Sequence, residues 1–258
     1  MYLARRPLRV IRRMTLMRFS IMTLFPDQVR DFLSQSIIGR AVSKGIISLD
    51  YHDIRDYADN EYGKLDDTLY GGGTGMLMEC EPVFKCYEEV KKSSSPYLIF
   101  CSPKGHKLDQ KKVIELSKKD HIAILCGHYE GIDSRVLDEI VDEEISIGDY
   151  VLTGGEIASV VLVDSISRMI PGVLPNEDAF TNESHMNGAL EAPQYTKPRS
   201  WHDMEVPEVL MSGDQAKIDS YNRTMAICET LEKRPDMLKE LEISEEDWQK
   251  VLAMKKQN

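Results

Sequence analysis

Short apolar runs of strand length alternate along this chain with stretches whose apolar residues recur at helical spacing. Residues 19–25 read as a buried strand closed by Pro26. Residues 27–43 read as one helix with Val29, Phe32, Leu33, Ile37 and Ile38 on an apolar stripe. Residues 46–54 alternate as a second strand. Residues 57–79 carry no clear period and hold Gly71-Gly72-Gly73-Thr74-Gly75; loops of that length are more often functional than decorative. Further on, the pattern predicts helices over 81–92, 109–118, 133–139 and 155–169, and strands over 97–101, 122–126 and 140–147. Strands alternating with helices predict an α/β fold with a largely parallel sheet. Its ligand then belongs at the carboxyl ends of the strands.

Residues 171–207 form a connector rich in proline, asparagine and acids. Beyond it, helical patterns over 214–232, 235–241 and 245–255 predict a small C-terminal all-helical domain. Ser244 is the expected N-cap of the last helix, with three acids in its first turn. The expected organisation is an N-terminal extension (1–18), an α/β domain (19–174), a linker (175–207) and a helical domain (208–258).

Two glycine-hinged turns lie where that sheet should bind a ligand. They are Cys126-Gly127-His128-Tyr129-Glu130-Gly131 and Ile147-Gly148-Asp149-Tyr150-Val151-Leu152-Thr153-Gly154-Gly155-Glu156. Each follows an apolar or β-branched run, and Ser102-Pro103 falls at a third strand end. Glycine lets the backbone approach a flat ligand closely, and Tyr129 and Tyr150 can supply walls. Five acids (Asp138, Glu139, Asp142, Glu143, Glu144) crowd between the turns, which excludes a phosphate cradle and suits an uncharged or zwitterionic adenosine-like ligand. Tyr70-Gly71-Gly72-Gly73-Thr74-Gly75-Met76 lacks the Gly-Lys-Ser/Thr of a phosphate loop.

Composition narrows the class. The chain is 42% hydrophobic and 29% charged, ordinary for a globular protein. No apolar run reaches the roughly 18 residues of a membrane helix. Its five cysteines show no paired metal-ligand spacing, so reduced thiols in a cytoplasmic protein are expected. Net charge is −11, yet the first 18 residues carry Arg5, Arg6, Arg9, Arg12, Arg13 and Arg18 and no acid. Such a leader reads as a transit peptide, an RNA-contacting arm, or residues upstream of a true start at Met17. The acidic remainder argues against indiscriminate nucleic-acid binding, because phosphate neutralisation supplies most of that affinity.

The two glycine turns resemble the cofactor loops of the bacterial tRNA (guanine-N1)-methyltransferase family, a branch of the SPOUT superfamily. The resemblance extends from about residue 19 to 250 through Leu24-Phe25-Pro26, Asp66-Asp67, Tyr70-Gly71-Gly72-Gly73, Gly75-Met76, Ser102-Pro103, Lys107-Leu108-Asp109-Gln110, Pro171-Gly172-Val173-Leu174, Pro193-Gln194-Tyr195-Thr196 and Val206-Pro207. It implies a deep trefoil knot around the cofactor pocket and a homodimer whose active sites are shared between subunits. It implies transfer of a methyl group from S-adenosyl-L-methionine to N1 of guanosine 37 in the tRNA anticodon stem-loop, with a need for magnesium. The cofactor residues implied are Cys101, Pro103, Gly127, Tyr129, Glu130, Gly131, Ile147, Gly148, Asp149, Tyr150, Val151, Leu152, Gly154 and Gly155. Asp67, Tyr70, Gly71, Gly72 and Gly73 fall beside the target guanine, where the family has proline in place of Thr74.

N1 of guanine is protonated, so the reaction needs a base at N1 and a cation or donor at O6. Arg168 occupies the family's arginine position; by itself it reads as a helix C-terminal cation. The carboxylate departs from the family pattern. Asp178, in Glu177-Asp178-Ala179-Phe180, matches the family's context locally but lies close to Leu174. Glu183, in Glu183-Ser184-His185, falls at the position when counted back without gaps from Leu190. Both also read as acids of a solvated linker.

Lys104, His106, Lys107, Arg55, Lys64, Arg135, Lys197, Arg199, Lys217 and Arg223 are the cations expected to face RNA or solvent. His128 reads equally as a structural donor or a ligand contact. Ile157, Val160, Val161 and Asp164 form a stripe that is core or dimer interface, and a buried Asp164 needs a partner. Two alternatives stay open: a knotted methyltransferase acting on another RNA, such as at a ribose 2′-hydroxyl, or a non-catalytic RNA- or nucleotide-binding dimer.

Overall fold

The computed structural model describes residues 16–175 and 183–255, which divide into one compact unit up to Pro175 and another from Asn176. In the first, strand β1 (Met17–Thr23) leads through helices α1 (Pro26–Leu33) and α2 (Ser36–Ser43) to β2 (Ile47–Asp53). A hairpin of β3 (Asp66–Thr68) and β4 (Met76–Met78) precedes α3 (Cys80–Lys91) and β5 (Tyr97–Lys107). Then follow α4 (Gln110–Leu116), β6 (His121–Cys126), α5 (Ser134–Ile140), β7 (Glu143–Ser146) and α6 (Glu156–Ser167). The five longer strands form one parallel sheet in the order β2-β1-β6-β5-β7.

Alternation along the central strands builds two cores. Phe19, Ile21, Ile99, Ile122 and Ile124 face one side, packed with Val29 and Leu33 of α1 and Leu162 and Ile166 of α6. Met22, Leu98, Phe100, Ala123 and Leu125 face the other, with Val83 and Val90 of α3 and Val136 of α5. A parallel sheet covered on both faces has near-continuous apolar strands, as in the wholly buried run Ile122-Ala123-Ile124-Leu125. At the amino end of the sheet, His121 lies between two hydroxyls, Ser20 Oγ at 2.9 Å from Nε2 and Ser94 Oγ at 2.5 Å from Nδ1. Burial, with Arg18 nearby, pushes this imidazole down to about 4.

Several expectations are corrected. The single helix over 27–43 is two, because Ser36 takes φ +57, a left-handed value that breaks the helix and re-aims the chain. Phe32 thereby leaves the expected apolar stripe and is 66% exposed. Strand β5 does not stop at Cys101: its pairing with β7 breaks after Cys101 and resumes at His106. Ser102-Pro103 occupies that break, where a residue without an N–H is tolerated. Strand β7 is shorter than expected, because Val141 caps α5 before it starts. Asp164 is exposed, not buried, together with Ile157 and Val161 on the outer face of α6.

In the second unit, a two-stranded hairpin of β8 (Ser200–Trp201) and β9 (Met204–Glu205) precedes helices α7 (Gln215–Lys233) and α8 (Glu245–Lys255). Between those helices Pro235–Glu240 forms a 3-10 turn, not the expected α-helix. Ser244 caps α8 in a reciprocal pair: its Oγ accepts from Asp247 N at 3.1 Å, and Asp247 Oδ2 accepts from Ser244 N at 3.2 Å. Arg223, half exposed, forks onto Asp247, with Nε to Oδ2 at 3.0 Å and Nη2 to Oδ2 at 2.9 Å.

Candidate active site

Three turns leave the carboxyl ends of neighbouring strands: Ser102-Pro103 within β5, the Gly127–Gly131 turn after β6 and the Ile147–Gly155 segment after β7. They enclose a cavity of about 240 Å³. Thirteen of the fourteen expected cofactor residues line it: Cys101, Pro103, Gly127, Tyr129, Glu130, Gly131, Ile147, Gly148, Tyr150, Val151, Leu152, Gly154 and Gly155. Asp149 does not; its carboxylate turns away to Lys107 Nζ at 2.6 Å.

The wall also includes Phe100, Ser102, His128, Ile145, Ser146, Thr153 and Ala158. Of these, Ser102 and Thr153 fell within the strand-end turns read from sequence and His128 was weighed as a ligand contact; Phe100, Ile145, Ser146 and Ala158 were not singled out. Ser146 had a readable signal, a serine two residues before a glycine. Its hydroxyl donates to Gly148 O at 2.9 Å and accepts from Gly148 N at 3.2 Å, closing the turn.

The chemistry of the wall sorts possible ligands. Among the described residues no lysine or arginine lines the cavity, so these offer a diphosphate no counter-charge. Burial pushes the Cys101 thiol up to about 12 and raises that of Cys126 well above its ordinary value, which leaves both neutral. Tyr150 and Val151 are mostly exposed at the mouth. The turns approach each other closely: Gly155 N donates to Gly127 O at 3.1 Å, and a Cβ on Gly155 would lie 2.6 Å from Cys126 Cα. A flat, phosphate-free adenosine matches this wall of backbone, small residues and aromatic rings.

The glycine-rich loop is fastened to the same wall. Glu130 N donates to Met76 O at 3.0 Å, and Met78 N donates to Gly131 O at 3.0 Å, so β4 runs beside the cavity turn. Gly75 leaves no room for a side chain, since a Cβ there would meet Glu130 Cγ at 2.1 Å. Of the expected substrate residues, Asp67 caps the start of the loop by accepting from Thr68 N at 2.7 Å. Tyr70 is fully exposed, and Gly71, Gly72 and Gly73 open onto free space. Partial burial and the neighbouring Asp66 raise the Tyr129 phenol.

Of the expected catalytic residues, Arg168 belongs to the first unit, where it does not line the cavity. Arg168 caps α6 at its carboxyl end, its backbone N donating to Asp164 O at 3.2 Å. Glu156 starts the same helix at the cavity. Twelve residues at 1.5 Å rise separate the two ends by about 18 Å. Glu183 belongs to the second unit, where it borders a groove with Leu190, Gln194 and Arg223. Asp178 lies outside the described residues. Among the described residues no group of three or more His, Cys, Asp or Glu side chains could hold a metal ion. No helix among them is long and apolar enough to cross a membrane.

Residues 17–240 match the family model described as tRNA (Guanine-1)-methyltransferase TrmD. A tRNA (guanine-N(1)-)-methyltransferase of Ruminiclostridium cellulolyticum is 47% identical over 227 residues, covering 87% of this chain and 97% of the relative. The enzymes of the same name from Lachnospira eligens and Clostridioides difficile are 48% and 47% identical, each over 226 residues. They cover 87% and 86% of this chain, and 96% and 98% of the respective relatives. The chain belongs to the tRNA (guanine-1)-methyltransferase family.

Proposed function

We propose that this protein is a cytoplasmic enzyme that methylates N1 of guanosine 37 in tRNA, using S-adenosyl-L-methionine held in the glycine-walled cavity. The observation that carries the reading is the attachment of the open Gly71–Gly73 loop to the wall of a cavity without phosphate-binding cations. That places a base-sized opening beside an adenosine-sized pocket. When bound, the cofactor supplies an electrophilic methyl group. Backbone of the Gly127 and Gly148 turns holds the adenosine, and Tyr129 and Tyr150 flank it. The glycine-rich loop receives the guanine, unstacked from the anticodon loop.

Arg168 holds the developing negative charge on O6, and Glu183 or Asp178 accepts the N1 proton as the methyl arrives. The length of α6 favours a dimer: an arginine about 15 Å along the helix from Ala158 of its own chain's cavity wall is suited to serve a neighbour's. The exposed Ile157, Val161 and Asp164 face of the same helix supports this. The family's trefoil knot and tRNA-gripping helical domain belong to the same proposal. The return of the 147–155 segment against Cys126 and Gly127 supports the knot.

Single-turnover methyl transfer to an unmodified tRNA carrying guanosine 37 tests the reading. Removing the base is expected to slow transfer by about 10²–10⁴-fold. Arg168→Ala is expected to cost about 10²–10³-fold. Loss in Glu183→Gln alone identifies Glu183, and loss in Asp178→Asn alone identifies Asp178. Absence of transfer by the wild type would overturn the proposal.

A further inference from the structure

Glu156 is a buried carboxylate, 7% exposed, on the first residue of α6. A buried charge is a weak way to add stability, because its desolvation offsets most of what its partners return. The fold does not need it to tie the cavity turns together, since the bond from Gly155 N to Gly127 O already does so. Both of its oxygens are nonetheless engaged. Oε1 accepts from Thr23 Oγ1 at 2.5 Å, and Oε2 meets His128 Nε2 at 2.8 Å. The Thr23 oxygen in turn accepts from Phe25 N at 3.0 Å.

These contacts fix a proton. An ionised carboxylate only accepts hydrogen bonds, so the histidine nitrogen facing it must carry hydrogen. The neutral ring is then held as the Nε2–H tautomer, with Nδ1 as its acceptor. The ring is also clamped: Phe25 packs on it at 4.9 Å between centroids, and Gly154 has no space for a Cβ, which would lie 2.4 Å from both His128 Nε2 and Glu156 Oε2. The next residue, Tyr129, sits at φ +58. A non-glycine residue keeps that conformation only where its surroundings over-determine it, and such sites cluster at functional positions.

We propose that Glu156 is a positioning residue for cofactor binding: through His128 it fixes the imidazole tautomer and the left-handed Tyr129 turn that walls the cavity. This rests on the cofactor reading above. Glu156→Gln is the sharp probe, because it keeps size and the Thr23 contact. The amide can present N–H to His128, which would drive the ring to the opposite tautomer.

The test measures binding of S-adenosylhomocysteine to wild type, Glu156→Gln, His128→Ala and the double variant, with the His128 tautomer read by ¹⁵N NMR. Loss of a charge-assisted hydrogen bond predicts at least about tenfold weaker binding by Glu156→Gln. It also predicts a switch of His128 to Nδ1–H, with thermal unfolding unchanged. If Glu156 acts through His128, adding Glu156→Gln to His128→Ala costs less than about twofold more. Unchanged affinity, an unchanged tautomer, or independent multiplication of the two effects would overturn the inference. Failure of the wild type to bind would instead overturn the cofactor reading itself.

Discussion

At the scale of single residues, the cavity depends on positions where no side chain fits. Gly155→Ala forces a Cβ against the Cys126 backbone, which cannot yield as a flexible side chain would. The expected outcome is a loss of about 1–3 kcal/mol of stability, measured by urea denaturation, together with weakened S-adenosylhomocysteine binding. Full stability and full affinity would show that the two turns have slack. The glycines were legible in the sequence because only a close approach explains so many of them at strand ends. Phe100, Ile145 and Ala158 were not, since an apolar residue in a strand or helix looks the same whether its neighbour is core or ligand. Asp149 misled for the opposite reason: it sits within a cavity turn, and only the side-chain direction reveals that it pairs with Lys107.

At the scale of elements, β6 and the first half of β5 were legible as short apolar runs because both their faces are buried, while β2, half-buried along Ser48–Asp53, was legible only by alternation. Breaks were harder to see. Nothing in the run Ser34-Gln35-Ser36 announces the left-handed Ser36 that splits the first helix, since serine and glutamine are ordinary helix-surface residues. Capping was legible, and α8 provides a test. Ser244→Ala removes the acceptor for Asp247 N and is expected to cost about 1 kcal/mol, seen as a lower urea midpoint.

The same corner of the second unit carries an acid sensitivity. Side-chain hydrogen bonds from Arg223, ahead of that from Ser244, hold the Asp247 carboxyl down at about 2. A depressed carboxylate contributes stability that is present above its unfolded value and fades as pH falls through the folded one. Asp247→Asn should therefore be less stable than wild type at neutral pH, with the gap closing between about pH 4 and pH 2. A gap that stays constant across that range would remove Asp247 from the acid response.

At the scale of the whole molecule, His121 couples the sheet to pH. Its folded value lies below that of a free imidazole, so the unfolded chain binds the extra proton first as pH falls. The neutral ring's stabilisation is complete above about pH 6.5 and is lost as pH drops toward 4, with a slope of at most about 1.4 kcal/mol per pH unit. His121→Gln should flatten the stability profile of the chain across that window, and an unaltered profile would assign the acid response elsewhere. The unit carrying the sheet and its strand alternation were readable from the sequence, but the order β2-β1-β6-β5-β7 was not. Which strand neighbours which depends on crossovers that leave no local mark.

That order has a consequence for biosynthesis. The first strand lies in the interior of the sheet, and its inner neighbour, β6, is made long afterwards. At ribosomal speeds of about 5–20 residues per second, the roughly one hundred intervening residues take about 5–20 s to emerge. Throughout that interval one flank of β1 has no native partner, leaving an apolar strand edge open to foreign pairing. Nascent chains stalled just before His121 should therefore bind holdase chaperones strongly, and chains stalled past the end of β6, allowing for the exit tunnel, should release them. Equal chaperone binding at both lengths would mean that the waiting strand is shielded by something other than its sheet neighbour.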